Sequence, residues 1–213
     1  MEKIKKLELA GVAFRDVTKV EIKGDVSCGK NVEVGLNVIF EGNVVLGEDV
    51  VIDSNSIISN SVIGKNTHIK AFTDLEGCSI GDNCRIGPYA RIRPKTKISD
   101  NCQIGNFVEI KDSLISDDCR INHMAFIGDS ELENSVTIGA GTITCNHNGS
   151  KISRCLIREN AYVGSNVNLV APVIINKNAT IGSGSTITSD AEEDSLTIAR
   201  SRQVTVKKWD RKK

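Results

Sequence analysis

Aliphatic or aromatic residues return every six positions along most of this chain. They stand at Val34, Phe40, Leu46, Ile52 and Ile58, then from Ile80 through Ile86, Ile92, Ile98 and Ile104 to Ile110, and again from Ile157 through Val163, Leu169, Ile175 and Ile181 to Ile187. Two residues ahead of each lies a small or β-branched one, such as Val32, Val44, Cys84, Ala90, Cys102, Val108, Ala161 or Val167. Two inward positions separated by an outward one make a short strand. The residue after the aliphatic is often glycine (Gly47, Gly64, Gly81, Gly105, Gly164, Gly182) and reads as a corner needing unusual backbone angles. Units of fixed period cannot bury their apolar faces alone, so the pattern predicts stacked strands in a parallel β-helix.

The beat slips by one residue at Ile58 to Ile63, Leu75 to Ile80, Ile110 to Ile115 and Ile127 to Leu132, and breaks between Ile138 and Ile157. A solenoid absorbs extra residues as loops on one face, often the binding face, which directs attention to residues 141–156. The expected layout is a lead with a short helix over residues 1–20, the β-helix over 21–190, and an irregular tail over 191–213. At one coil per three hexads, some eight or nine coils are expected, in a prism roughly 40 Å long at the inter-strand spacing.

Composition narrows the function. With 27 basic and 27 acidic residues the formal charge is zero, so no basic field exists for a nucleic-acid backbone. The basic end at Lys207, Lys208, Arg211, Lys212 and Lys213 reads as a solvated tail. The charged N-terminus carries no signal peptide or spanning segment, so a cytoplasmic, non-membrane protein is expected. Of seven cysteines, Cys78, Cys84, Cys102, Cys119 and Cys155 take the small inward slot and Cys28 an aliphatic one, as wall filler rather than metal ligands. Cys145, in the irregular segment, reads as an inert thiol. Flat, apolar prism faces favour side-by-side association.

Four segments are more specific than the hexads: Ala90-Arg-Ile-Arg-Pro94, Gly105-Asn-Phe-Val-Glu-Ile-Lys111, Gly139-Ala-Gly-Thr-Ile-Thr-Cys-Asn146 and Leu169-Val-Ala-Pro172. From about Leu7 to Trp209 the chain resembles the acetyltransferase half of the bifunctional bacterial enzyme that joins glucosamine-1-phosphate N-acetyltransferase to N-acetylglucosamine-1-phosphate uridylyltransferase. The resemblance implies an all-β, left-handed parallel β-helix of triangular section, a homotrimer with sites between prisms, and acetyl-CoA as co-substrate. Only Met1 to Lys6 precede the matching region, so a stand-alone homologue or a fragment is expected, without uridylyl transfer.

Acetyl transfer to an amine needs a base, and histidine is suited to it. His123, two residues after an inward Ile, falls where the family has its general base, and Glu109 matches the carboxylate that accompanies it. The resemblance places Arg93 and Lys111 on the sugar phosphate, which wants a guanidinium fork and an ammonium. It places Asn146 at the amino-sugar and acetyl site, Ser165 at the thioester carbonyl, Ser183 at the pantetheine and Arg200 at the coenzyme A phosphates. The chain departs from the pattern where Phe126 replaces a phosphate-binding Tyr, Thr137 an Asn of the same pocket, His147 a Tyr, and Ile152 a coenzyme A-contacting Lys for which Lys151 can substitute.

The leading expectation is therefore N-acetylation of glucosamine 1-phosphate in the synthesis of UDP-N-acetylglucosamine, a cell-envelope precursor. The alternatives are a different amino-sugar acceptor, or a trimeric hexapeptide-repeat module whose activity has decayed. A zinc enzyme of the carbonic-anhydrase kind would need His68, His123 and His147 to converge, and their spacing lacks the close pairing such a site shows.

Overall fold

The computed structural model describes residues 2–207 and 209. The solvated basic tail expected at Lys208, Arg211, Lys212 and Lys213 lies outside those residues. A helix spans Glu2–Leu9 and buries Leu7 against the start of the solenoid. Every strand after it pairs in parallel with the strand one turn away, as in Arg85↔Gln103, Arg91↔Glu109 and Lys97↔Leu114. One face carries an 11-stranded sheet. The other two are joined into one 17-stranded sheet, because Val20–Cys28 and Val38–Leu46 each run nine residues straight through a corner.

The result is a left-handed parallel β-helix of about 10 turns, longer than the eight or nine coils expected from the hexads. The added turns lie outside the regular beat. Val12–Phe14 already pairs with Val32–Val34, and Leu196–Thr197 still pairs with Thr180–Ile181. The parallel ladder thus begins before residue 21 and continues past residue 190, since a terminal coil needs neighbours on only one side.

Both inward columns form one continuous core, with Ile52, Ile86, Ile110, Ile121 and Ile157 essentially inaccessible. Where the small inward slot holds Thr, Ser or Cys, the polar atom often donates to a carbonyl, either of the next coil or, as for Ser61 to Ser59 O and Ser185 to Gly182 O, of its own. Thr67 donates to Gly81 O at 2.8 Å and Cys102 Sγ to Ser116 O at 3.1 Å. These donors satisfy most of the hydroxyls along that column, with the buried Thr73 Oγ1 the exception, left without a partner.

The corners correct the expectation for glycine. Left-handed backbone falls three residues before the aliphatic, as on Asn31, Asn37, Asp49, Asn55 and Asn101, these five with φ between 54° and 63°. Asn and Asp tolerate that region through their short polar side chains. Their amides also stack from coil to coil, Asn37 Nδ2 donating to Asn55 Oδ1 at 3.0 Å. The glycines after the aliphatic serve close approach instead. A Cβ on Gly47 would lie 2.7 Å from Lys65 N, and one on Gly164 2.7 Å from Ile181 O.

The excursion between Ile138 and Ile157 changes the register from 17 to 25 residues, as Arg120↔Thr137 gives way to Thr137↔Tyr162. Ile143–Cys145 stays in the sheet and the next strand starts at Cys155, so only residues 146–154 leave the wall. That loop is a small hairpin, with an antiparallel bridge His147↔Ile152 around a positive-φ Gly149.

Candidate active site

The corner that follows the 11-stranded sheet collects four of the expected residues in one column. His123 ends the strand Arg120–His123 and pairs with Asn106 of the coil before. The backbone then steps down this corner through Gly141 N to Met124 O (3.1 Å), Asn166 N to Ala140 O (2.7 Å) and Gly184 N to Ser165 O (2.8 Å). Ser183 Oγ accepts from Ser165 N at 3.1 Å, and Arg200 lies beside Gly184 at the foot of the column. His123, Ser165, Ser183 and Arg200 thus follow one another along a single edge. With the coil of Ala140 lying between His123 and Ser165, Ser165 sits two coils or roughly 10 Å, and Arg200 four coils or roughly 19 Å, from His123.

His123 is exposed, and its Nδ1 lies 2.8 Å from Asn106 Oδ1. An amide oxygen only accepts, so with this amide orientation the ring proton sits on Nδ1 and Nε2 offers its lone pair outward. Glu109 does not take that place; its carboxylate is engaged by Arg93 Nη1 at 2.8 Å. Sequence reasoning missed Asn106, although it occupies the outward position just before the corner, one coil above His123.

Beyond the corner, Glu109–Lys111, Phe126–Gly128 and Ile143–Cys145 stack in register. Arg93 and Lys111 are both half-buried here, and Lys111 Nζ pairs with Asp129 Oδ2 at 3.3 Å. Asp129 also accepts from Asn146 Nδ2. Sequence reasoning missed this aspartate too; only its place at a corner, next to Gly128, marked it.

The two sides of the corner form separate shallow hollows. One, of about 310 Å³, is lined by Phe107, Glu109, Met124, Ala125, Phe126 and Ile143. The other, of about 300 Å³, includes Lys70, Arg85, Gln103, Asn106 and His123. Thr137 lies on the far side, between Arg120 and Tyr162 on the 11-stranded sheet, and is not brought to Phe126 or Lys111. Lys151 is exposed in the loop, its backbone N donating to Asn148 Oδ1 at 2.9 Å. A larger hollow of about 480 Å³ near Phe14 and Asp53 lies coils away from this chemistry.

The corner beside His123 has a further peculiarity. Phe72, Tyr89, Phe107 and Met124 occupy its left-handed position in four successive coils, with φ from 46° to 60°. A bulky residue there is strained, unlike Asn. Phe72 and Tyr89 stack with centroids 4.8 Å apart, Tyr89 and Phe107 at 5.3 Å, and all four residues are exposed.

The histidines have separate surroundings. His68 pairs with Asp53 at 3.0 Å, His123 with Asn106, and His147 Nδ1 accepts from Gly149 N. Among the described residues no group of three His, Cys, Asp or Glu is placed to hold a metal. Among them, too, no helix is long and apolar enough to cross a membrane.

Residues 60–94, 77–112 and 154–189 match the family model described as bacterial transferase hexapeptide (six repeats). Along 201 residues, 94% of its length, the chain is 44% identical to the bifunctional protein GlmU of Aromatoleum aromaticum, covering 44% of that protein. It is 49% identical over 120 residues, 56% of its length, to GlmU of Thermodesulfovibrio yellowstonii, covering 26% of that protein. The chain therefore spans under half the length of these curated relatives. Its fold is also that of the Francisella novicida UDP-N-acetylglucosamine acyltransferase, with a TM-score of 0.62 at 18% identity over 85% of this chain and 66% of the other. Repeats, fold and identity along nearly the whole chain agree: it is a hexapeptide-repeat protein homologous to the C-terminal acetyltransferase half of GlmU.

Proposed function

We propose that this protein transfers the acetyl group of acetyl-CoA to the amine of glucosamine 1-phosphate, giving N-acetylglucosamine 1-phosphate for UDP-N-acetylglucosamine synthesis. The observation that carries this reading is the corner column. A base with an outward lone pair is followed down the same corner, two coils on, by Ser165 and then in successive coils by Ser183 and Arg200, over roughly 19 Å. An extended thioester arm ending in phosphates would span such a distance, with its acyl end at His123 and its phosphates at Arg200.

The chemistry is a single displacement at a carbonyl. The amine reacts in its neutral form: its nitrogen bonds to the thioester carbon, His123 Nε2 takes the proton that the nitrogen sheds, and the negative charge collects on the carbonyl oxygen. Ser165 is the donor aimed at that oxygen. Collapse expels the coenzyme thiolate, which leaves with the proton. No cysteine is needed as an acyl carrier; the residue nearest this chemistry, Cys145, is a sheet residue beside Asn146.

Arg93 and Lys111 hold the sugar phosphate. In the free chain both are already paired, with Glu109 and Asp129, so anion binding exchanges one set of charge-assisted bonds for another. Phe126 supplies no hydroxyl, which favours an acceptor with one contact fewer; a different amino-sugar phosphate is the second reading. Glu109 serves by setting Arg93 rather than by touching the imidazole.

The two hollows flanking His123 are open in one chain, and the strained aromatic corner beside them is exposed. A homotrimer, in which a neighbouring prism covers this corner and closes the site, accounts for both. The seven unpaired cysteines suit the reducing cytoplasm. The experiment that tests the reading is identification of the product by mass spectrometry and NMR, after incubation with acetyl-CoA and a panel of amino-sugar phosphates. Acetylation of the amine of glucosamine 1-phosphate supports it, and a failure to acetylate any member of the panel refutes it.

A further inference from the structure

Asp129 is the one charged side chain among the buried residues described, at 6% exposure. Burying a carboxylate is costly unless it is paired and hydrogen-bonded. Here a single oxygen, Oδ2, receives both Lys111 Nζ at 3.3 Å and Asn146 Nδ2. Its backbone repeats the connection, since Asp129 N donates to Lys111 O at 2.9 Å and Asp129 O accepts from Cys155 N at 3.3 Å. The residue is held at φ 48°, and its neighbour Gly128 leaves space that a Cβ would take from Asn146 Nδ2, 2.9 Å away.

Asn146 opens the loop that leaves the wall and Cys155 follows it, and Ser153 N closes the loop onto Asn146 O at 2.8 Å. Lys111 lies one coil away, on the wall itself. We propose that Asp129 is a positioning residue that locks the Lys111 ammonium and the root of the 146–154 loop into one unit. In the acetyltransferase reading, on which the kinetic half of this inference rests, the clamp fixes the distance between the phosphate-holding and acetyl-holding groups. Lys111 has three donors and spends one on Asp129, so its remaining donors face an incoming anion from a set position. A buried anion held by two such partners is a specificity device more than a source of stability.

Two variants of the full chain separate the roles. Asp129→Asn keeps the size and an acceptor oxygen for Asn146 but removes the charge that holds Lys111. Asp129→Ala removes both. Limited trypsin digestion reads the loop directly, because Lys151 lies exposed at its tip. Cleavage after Lys151 should be about tenfold faster in Asp129→Ala, close to wild type in Asp129→Asn, and as fast in Asn146→Ala as in Asp129→Ala, with no further gain in the double variant.

With glucosamine 1-phosphate as acceptor, Asp129→Asn should raise KM about tenfold with kcat changed by less than about twofold, as for loss of one bond to a charged group. A merely structural role would lower the folded fraction, reducing kcat in all variants without moving KM. Unchanged Lys151 cleavage in both Asp129→Ala and Asn146→Ala would overturn the clamp, and so would an unchanged KM in Asp129→Asn beside an active wild type. Should wild type fail to turn over, the acetyltransferase reading falls, and the digestion alone upholds or overturns the clamp.

Discussion

His123 and Asn106 are joined at 2.8 Å across adjacent coils, ring nitrogen Nδ1 to amide oxygen Oδ1. The pair sets which imidazole nitrogen can accept a proton, because the amide oxygen requires a hydrogen on Nδ1. Replacing Asn106 by Ala frees the ring to choose either tautomer and rotamer. The expected result is a fall in kcat of about tenfold to a hundredfold, within the contribution of a positioned general base, with the KM for acetyl-CoA unchanged. Asn106→Asp puts a carboxylate against the ring and favours imidazolium, so the acid limb of the pH–rate profile should move to higher pH. Steady-state kinetics across pH for both variants check this.

Phe126 stands in register between Glu109 and Ile143, on the wall next to Lys111. Restoring a hydroxyl with Phe126→Tyr should lower the KM for glucosamine 1-phosphate by about tenfold, the worth of one bond to a charged group. An increase in KM would show that this protein's acceptor places no phosphate oxygen there.

Gly164 is required by the stacking of coils, since a Cβ would sit 2.7 Å from Ile181 O, Ser183 N and Ser183 Oγ. Gly164→Ala should cost about 1–3 kcal/mol, as overpacking does, and should raise the KM for acetyl-CoA by displacing Ser183. Thermal unfolding and acetyl-CoA saturation curves measure the two effects.

Burial pushes the Cys78 thiol up to about 11 and the Cys155 thiol up to about 12. The thiolate is the reactive form, so both are shielded by protonation as well as by access. At about pH 8, below those values, a thiol reagent should modify the half-buried Cys28 and Cys145 in the native protein and the remaining five only on unfolding. Mass spectrometry of the labelled peptides gives the count, and rapid native labelling of Cys78 or Cys155 would contradict the buried core.

Much of this architecture was legible from the chain because the solenoid is periodic. Inward Ile86, Ile104 and Ile121 repeat at one-turn spacing, and nothing else buries such a pattern. The end coils were less so: Val12 and Leu196 are single aliphatics outside any run, held by pairing with Val32 and Thr180. The glycines misled for a physical reason. Glycine marks both positive φ and close approach, and only the stack shows that Gly47 and Gly164 serve the second. His123 stood out by its chemistry, and the resemblance supplied its companions. The polar partners that orient them, Asn106 and Asp129, are common corner residues. Their meaning lies in what the neighbouring coil brings within reach, which hexad spacing does not record.

The most direct test of the central claim is thiol release from acetyl-CoA with glucosamine 1-phosphate as acceptor, comparing wild type with His123→Ala. The account predicts turnover in the wild type and a loss of at least about a hundredfold in the variant, with the fold intact by circular dichroism. Equal turnover in the two proteins would contradict His123 as the base, and no turnover in the wild type would contradict the proposed reaction itself.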